Sequence, residues 1–146
     1  MLRTGKNDHG PIHAAKVCVL CALLGAKLEL PIDNIYILMF AAIAHDSGRT
    51  DNKDDRKHGA LGVKTLLFAD METTRDLVAL HSQPDSYINK IASEEIESLA
   101  MIFKDADVLD RVRTGDLEEK YLRTDEAKSL VRFARELNLC LSKVTD

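Results

Sequence analysis

The chain has 146 residues, of which 45% are hydrophobic, and its formal net charge at pH 7 is −4 with the five histidines counted as neutral. The apolar fraction excludes an intrinsically disordered chain, and no run of about 18 apolar residues is present that could cross a bilayer as a helix. The slight acidity argues against a basic surface that follows the phosphates of a nucleic-acid polymer.

Hydrophobic spacing predicts helices through the first half of the chain. The first is predicted at about residues 11–28, with a proline in its first turn. The second covers about residues 31–47 and stops at a serine and a glycine. Residues 49–57 contain no apolar side chain and are predicted to be a solvated loop, after which helical spacing resumes at 58–68.

The second half continues the same pattern. Helices are predicted at about residues 73–82 and 93–112, and a last helix, preceded by a threonine cap, is predicted at about 125–141. Pro84 and Gly115 interrupt the helical pattern between them. No segment sustains the two-residue alternation of a strand. We therefore predict a single all-α domain of about six helices that comprises the whole chain.

Five polar residues occupy positions where apolar residues should continue the helical stripes. They are His13, His45, Asp46, His81 and Asp107. A carboxylate on an inward face costs several kcal/mol to bury without a partner, so two of them demand a compensating cation. Neutral imidazoles and carboxylates together are the ligands of divalent Zn, Mn, Fe and Co.

Each of these residues also has an ordinary interpretation when taken alone. A single inward histidine is more often a hydrogen-bonded core residue than a metal ligand. Asp46 could end its helix, although an acidic charge is unfavourable at a helix C-terminus. Asp107 could pair with Arg111 one turn later. Their joint occurrence on several helices favours the metal site.

Short motifs around these residues occur in a recognisable order. They are HAAKV at 13–17, HDSGR at 45–49, HGALG at 58–62, LH at 80–81 and KDADVLDR at 104–111. This order resembles the HD-domain metal-dependent phosphohydrolase superfamily, and the resemblance covers about residues 9–113. The predicted helix at 125–141 matches no motif of the family, and we expect it only to pack against the rest.

The resemblance implies a helical domain that holds divalent transition metal. The implied ligands of a first ion are His13, His45, Asp46 and Asp107. In two-metal members Asp46 would bridge both ions, with His58 and His81 as further ligands of the second. If one ion binds, His58 and His81 would line the phosphate pocket instead. The candidate metals are Mn, Fe, Co, Ni and Zn, with Mg as a further candidate.

The expected activity is attack of a metal-activated water on a phosphate ester of a nucleotide or another small phosphorylated metabolite. Asp46 and Arg49 are the candidate catalytic residues, because Arg49 follows the ligand pair closely enough to clamp a phosphate. Arg111 is a candidate either for orienting Asp107 or for contacting substrate.

Other functions stay open from the sequence. The same family scaffold hosts di-iron oxygenases with the six-residue ligand set, and a third interpretation is a module that binds a nucleotide or a metal without turnover. A purely structural bundle would leave Asp46 and Asp107 without partners. An odd number of cysteines suits the cytoplasm. We expect no nucleic-acid or membrane partner, and the leucine-rich first and last helices are either core or the face of a homodimer.

Overall fold

A computed structural model describes residues 10–47 and 71–143 of the chain. Its helices are α1 Pro11–Lys27, α2 Ile32–Ala44, α3 Glu72–Leu80, α4 Asp85–Ile91, α5 Glu94–Leu109, α6 Asp125–Ser129 and α7 Val131–Ser142. Two 3₁₀ helices, Asp110–Arg113 and Glu119–Tyr121, lie between α5 and α6. These residues contain no strand, which confirms the predicted all-α fold class. No helix among them combines the length and apolarity needed to cross a bilayer.

Helices α1 and α2 form a closely packed hairpin. At Gly25 of α1 an added Cβ would lie 2.7 Å from Cγ1 of Ile35 on α2, so only glycine allows this approach. Leu20 and Leu24 of α1 and Leu38 of α2 are fully buried beneath the hairpin. Most of the apolar stripe predicted for α1 therefore faces the core, except that Ile12 at its start is 45% exposed.

Helix α5 runs through the middle of the fold and packs against α1, α2, α3, α4 and α6. Phe103, Ala106 and Leu109 on this helix are fully buried. The helix begins as predicted, because the hydroxyl of Ser93 accepts a hydrogen bond from the Ile96 backbone N–H at 3.4 Å. Its last turn tightens into the first 3₁₀ helix, so the helical stretch covers the predicted 93–112.

Two features of the second half were not predicted from the sequence. Helix α4 has seven residues and one buried side chain, Ile88, which is too short for a periodic stripe to show. The last predicted helix is interrupted at Leu130, whose φ of −91° and ψ of −2° separate α6 from α7. The predicted cap at Thr124 is present and accepts from the Ala127 N–H at 3.2 Å. The helix predicted at 58–68 lies outside the described residues.

Candidate metal centre

Four helix ends bring the candidate ligands together. His13 lies in the first turn of α1, and Asp107 lies in the last turn of α5. His45 directly follows α2 and is followed by Asp46, while His81 directly follows α3. The carboxyl ends of α2, α3 and α5 therefore meet at one place. Each carries the partial negative charge of its helix dipole, so together they favour a cation there.

The ligand atoms lie within a few ångströms of one another. Nε2 of His13 is 3.1 Å from Nε2 of His45 and 3.3 Å from Oδ1 of Asp107. Oδ2 of Asp46 is 3.4 Å from Nε2 of His13 and 3.5 Å from Nε2 of His45. Nε2 of His81 is 3.8 Å from Oδ1 of Asp46. Two overlapping groups result, one of His13, His45 and Asp107 and one of His45, Asp46 and His81.

The other ring nitrogen of each histidine is engaged by an acceptor. Nδ1 of His45 donates to the Ala42 carbonyl at 2.7 Å, and Nδ1 of His81 donates to the Val78 carbonyl at 2.7 Å. Nδ1 of His13 donates to Oδ2 of Asp110 at 2.7 Å. Because a carbonyl can only accept, the proton of His45 and His81 is on Nδ1. In the neutral rings every Nε2 then presents a lone pair to the cluster.

These separations fit a shared cation. Two ligands that each lie about 2.0–2.2 Å from an ion are about 2.8–3.6 Å apart at octahedral or tetrahedral angles. The distance between His13 and His45, that from His13 to Asp107 and those from both histidines to Asp46 fall within that range. Lone pairs and carboxylate oxygens at such distances repel one another unless a positive charge lies between them. The donor set and its spacing therefore fit a divalent transition metal.

The pKa values of His13 and Asp107 are shifted because several carboxylates lie close to few positive charges. Burial alone would lower the pKa of His13, but hydrogen bonds with the carboxylates of Asp107, Asp110 and Asp46 outweigh it and raise the pKa to about 10. Burial raises the pKa of Asp107, and His13 and His45 more than reverse this, leaving that pKa well below its usual value. A bound cation would occupy the place of the proton on His13.

Two supporting residues were missed by the sequence analysis. Asp110 is 1% exposed, and its carboxylate binds Nδ1 of His13 at 2.7 Å, Nζ of Lys16 at 2.9 Å and Nη1 of Arg113 at 3.3 Å. A signal for both was present, because Lys16 follows His13 and Asp110 follows Asp107 by three residues. Such residues share a helix face with the ligand that they follow.

The remaining predicted site residues have different outcomes. Arg49 and His58 lie outside the described residues, and their roles stay predictions. Arg111 is half exposed and its Nη2 binds Oδ2 of Asp116 at 2.7 Å. The alternative interpretation of Asp107, a surface ion pair with Arg111, is therefore not observed, because Arg111 pairs with Asp116. A role for Arg111 toward substrate stays a prediction.

A pocket of about 360 Å³ adjoins the cluster on the side of Asp46. Its walls come from the start of α1 and the end of α2. The lining residues are Gly10, Pro11, Ala14, Ala15, Ile43, Asp46 and Ser47. Apart from Asp46 and Ser47 the lining is apolar or backbone. A small molecule bound in it would lie beside the ligand carboxylate of Asp46.

Comparison with known proteins gives one match. A family model described as HD domain matches residues 12–112, which is more than half of the chain. No curated protein and no solved structure matches. The matched segment contains all five ligand candidates that the structure brings together, and it ends before α6 and α7.

Proposed function

The chain belongs to the HD domain family, and we propose that it is a metal-dependent phosphohydrolase that acts on a nucleotide or another small phosphorylated metabolite. One observation carries this proposal. The Nε2 atoms of His13, His45 and His81 and the carboxylates of Asp46 and Asp107 converge, with the Nδ1 atoms of these three histidines already bound elsewhere.

His13, His45, Asp46 and Asp107 would hold the metal. Once bound, a divalent metal supplies a water of lowered pKa near neutral pH and neutralises charge on phosphoryl oxygens. The chain contributes orientation, because the Nδ1 bonds prevent the rings of His13, His45 and His81 from turning away. The three rings are at most 7% exposed, whereas the side chain of Asp107 is 34% exposed, so the site is buried on the histidine side and open to solvent at Asp107. Electrostatic interactions of the buried rings are stronger than they would be in water.

Asp46 is suited to face two ions. Its Oδ2 is directed to Nε2 of His13 at 3.4 Å, and its Oδ1 is directed to Nε2 of His81 at 3.8 Å. A carboxylate whose two oxygens face different ligand groups can bridge two cations about 3.5–4 Å apart. This arrangement supports a site for two ions, in which His81 would belong to the second.

The pocket beside Asp46 is the proposed place for the substrate. A phosphate near Asp46 would lie against the proposed metal, and the rest of the molecule would contact the apolar wall that Ala14, Ala15 and Ile43 contribute. Binding sites of this kind combine an apolar lining with a few polar groups that fix orientation. The proposed substrate is therefore small, with one anionic end and a less polar remainder.

Elemental analysis and a hydrolysis screen test the proposal. The purified chain and two variants, Asp46→Asn and the control Asp125→Asn on an exposed part of α6, would be loaded with Mn²⁺, Co²⁺, Fe²⁺ or Ni²⁺. Phosphate release would then be measured from nucleoside monophosphates, cyclic nucleotides and simple esters. We expect the parent and the control to hold close to two ions per chain and to hydrolyse at least one substrate class, and Asp46→Asn to lose both properties.

Two results would contradict the proposal. Full hydrolysis by a metal-free Asp46→Asn protein would remove the basis for a metal mechanism. Oxygen-dependent turnover of an iron-loaded chain, without any phosphate release, would identify an oxygenase instead. A ratio of one ion per chain that does not change when metal is added would reduce the proposal to its one-ion form.

A further inference from the structure

A buried lysine connects the candidate metal centre to the last helix. Lys16 is 4% exposed, and its ammonium group binds Oδ1 of Asp110 at 2.9 Å and Oδ1 of Asn138 at 2.9 Å. Asn138 belongs to α7, which lies beyond the segment that the family model matches. A continuous path of polar contacts therefore runs from α7 to His13.

Each contact on this path restricts the next group. The carboxylate of Asp110 binds Lys16 through Oδ1 and His13 through Oδ2, so its plane is fixed from both sides. A buried ammonium group is costly unless its hydrogen bonds are satisfied, and Asn138 supplies one of these acceptors. Without Asn138 the ammonium would move toward other acceptors and would pull on the Asp110 carboxylate. The ring of His13 would then lose its fixed orientation.

We propose that Lys16 and Asn138 are positioning residues for the metal ligand His13. They hold the Asp110 carboxylate in the plane that keeps Nε2 of His13 directed at the cation. This inference rests on the proposed metal site, and it adds that α7 contributes to metal affinity. Groups that orient a metal-binding histidine typically change metal affinity by about 10- to 100-fold when they are removed.

Metal titration of the purified full chain tests this role without measuring hydrolysis. Isothermal titration with Mn²⁺ would compare the parent with Asn138→Leu, Asn138→Asp and Lys16→Met. Glu136→Gln on the exposed side of α7 is the matched control. We expect Kd to rise about tenfold for Asn138→Leu and at least as much for Lys16→Met. Asn138→Asp keeps an acceptor for Lys16 and should bind like the parent, as should the control.

A spectrum and a melting curve separate positioning from simple packing. The visible absorption of bound Co²⁺ reports ligand geometry, so we expect it to change in Asn138→Leu and not in Glu136→Gln. A variant that lowers the Tm of the metal-free protein but keeps the parental Kd and spectrum would show that Asn138 only packs, which overturns the inference alone. Failure of the parent itself to bind metal would overturn the proposed function together with it.

Discussion

Asp105 and Asp107 lie two residues apart on α5, and their carboxylates have different surroundings. Asp105 is fully buried and accepts from the backbone N–H groups of Arg123 and Thr124 at 2.9 Å each. It also accepts from the Thr124 hydroxyl at 2.9 Å and from Nη1 of Arg123 at 3.2 Å. Asp107 instead faces Nε2 of His13 at 3.3 Å and Nε2 of His45 at 3.6 Å.

The difference lies in the supply of donors. Around Asp105 the chain itself provides four hydrogen bonds and a guanidinium charge, so this carboxylate is complete without a ligand. Around Asp107 the nearest partners are imidazole nitrogens whose Nδ1 protons bind other acceptors. Nε2 can donate to Asp107 only when the ring carries a second proton, as the raised pKa of His13 indicates, and a bound cation would replace that proton. Burial of an acid alone therefore does not indicate a metal site. The balance between donors and acceptors around the acid distinguishes a structural carboxylate from a candidate metal ligand.

Removing Asp107 should have the largest effect, and it should affect activity rather than folding. We expect Asp107→Ala to lower the proposed hydrolysis by at least about 10³-fold, equal to about 4 kcal/mol of transition-state stabilisation. The metal-free variant should unfold within about 1 kcal/mol of the parent, because the Asp107 side chain is 34% exposed and solvent screening reduces what its contacts with His13 and His45 contribute to stability. Steady-state kinetics and urea unfolding would measure the two effects. A loss of stability with activity retained would show that Asp107 has a structural role like that of Asp105.

Removing Asp105 should do the reverse. Asp105→Ala leaves the guanidinium of Arg123 and two backbone N–H groups without their acceptor, and we expect the free energy of unfolding to fall by about 3 kcal/mol. Asp105→Asn keeps an acceptor oxygen and should lose less. The folded fraction of either variant should bind as much metal as the parent. Loss of metal in a well-folded Asp105→Asn protein would show that the contacts of Asp105 and the candidate metal centre are not independent.

Metal should stabilise the parent and should not stabilise a variant that lacks the ligand. At a free metal concentration of 100 Kd the free energy of unfolding should rise by about 2.7 kcal/mol. Thermal unfolding with and without Mn²⁺ would show this increment for the parent and for Asp105→Asn, but not for Asp107→Ala. An equal rise in Tm for all three proteins would indicate binding outside the proposed site.

The smallest expected effect is the pH dependence of the stability that comes from the ion pairs of Arg123 with Asp85 and Asp105. We call these residues the structural cluster. Asp85 binds Arg123 at 2.8 Å and Lys104 at 2.6 Å, and hydrogen bonding to Arg123 lowers its pKa from 3.8 to about 2. A carboxylate with a lowered folded-state pKa stabilises the fold above pH 3.8, and this contribution is lost as the pH falls toward 2. Because its side chain is 41% exposed, solvent screening reduces the contribution to about 1 kcal/mol. Urea unfolding of Asp85→Asn should show a correspondingly flatter profile, and an unchanged slope over this range would argue against the ion pair.

The local sequence pattern was sufficient to single out the residues of the candidate metal centre, whose binding of metal stays a prediction. His13, His45, Asp46, His81 and Asp107 each occupy a position where the apolar spacing of a helix continues, either within that helix or just beyond its end, which is a local pattern. The structure brings these five together, and the all-α fold follows from the same periodicity. Helix α4 was not predicted, because seven residues with one buried position show no helical periodicity.

The structural cluster could not be predicted in the same way. Asp105 depends on groups 18 and 19 residues away, and two of its four donors are backbone N–H groups that every residue type except proline possesses. Asn138 lies 122 residues from Lys16, and a lone asparagine on an amphipathic helix indicates nothing about its partner. Pairings that depend on tertiary folding alone leave no trace in the local pattern.

His13, His45 and His81 of the candidate metal centre differ in how far along the chain their orienting partners lie. His45 and His81 each bind a carbonyl only three residues earlier, so a single helix end suffices to orient them. His13 depends on Asp110, which lies 97 residues later. During folding, two imidazoles can therefore be oriented as soon as their helices form, whereas the third waits until distant parts of the chain have met. If the chain binds metal as proposed, full metal affinity would appear only with the completed tertiary structure, and partly folded chains would be poor competitors for metal.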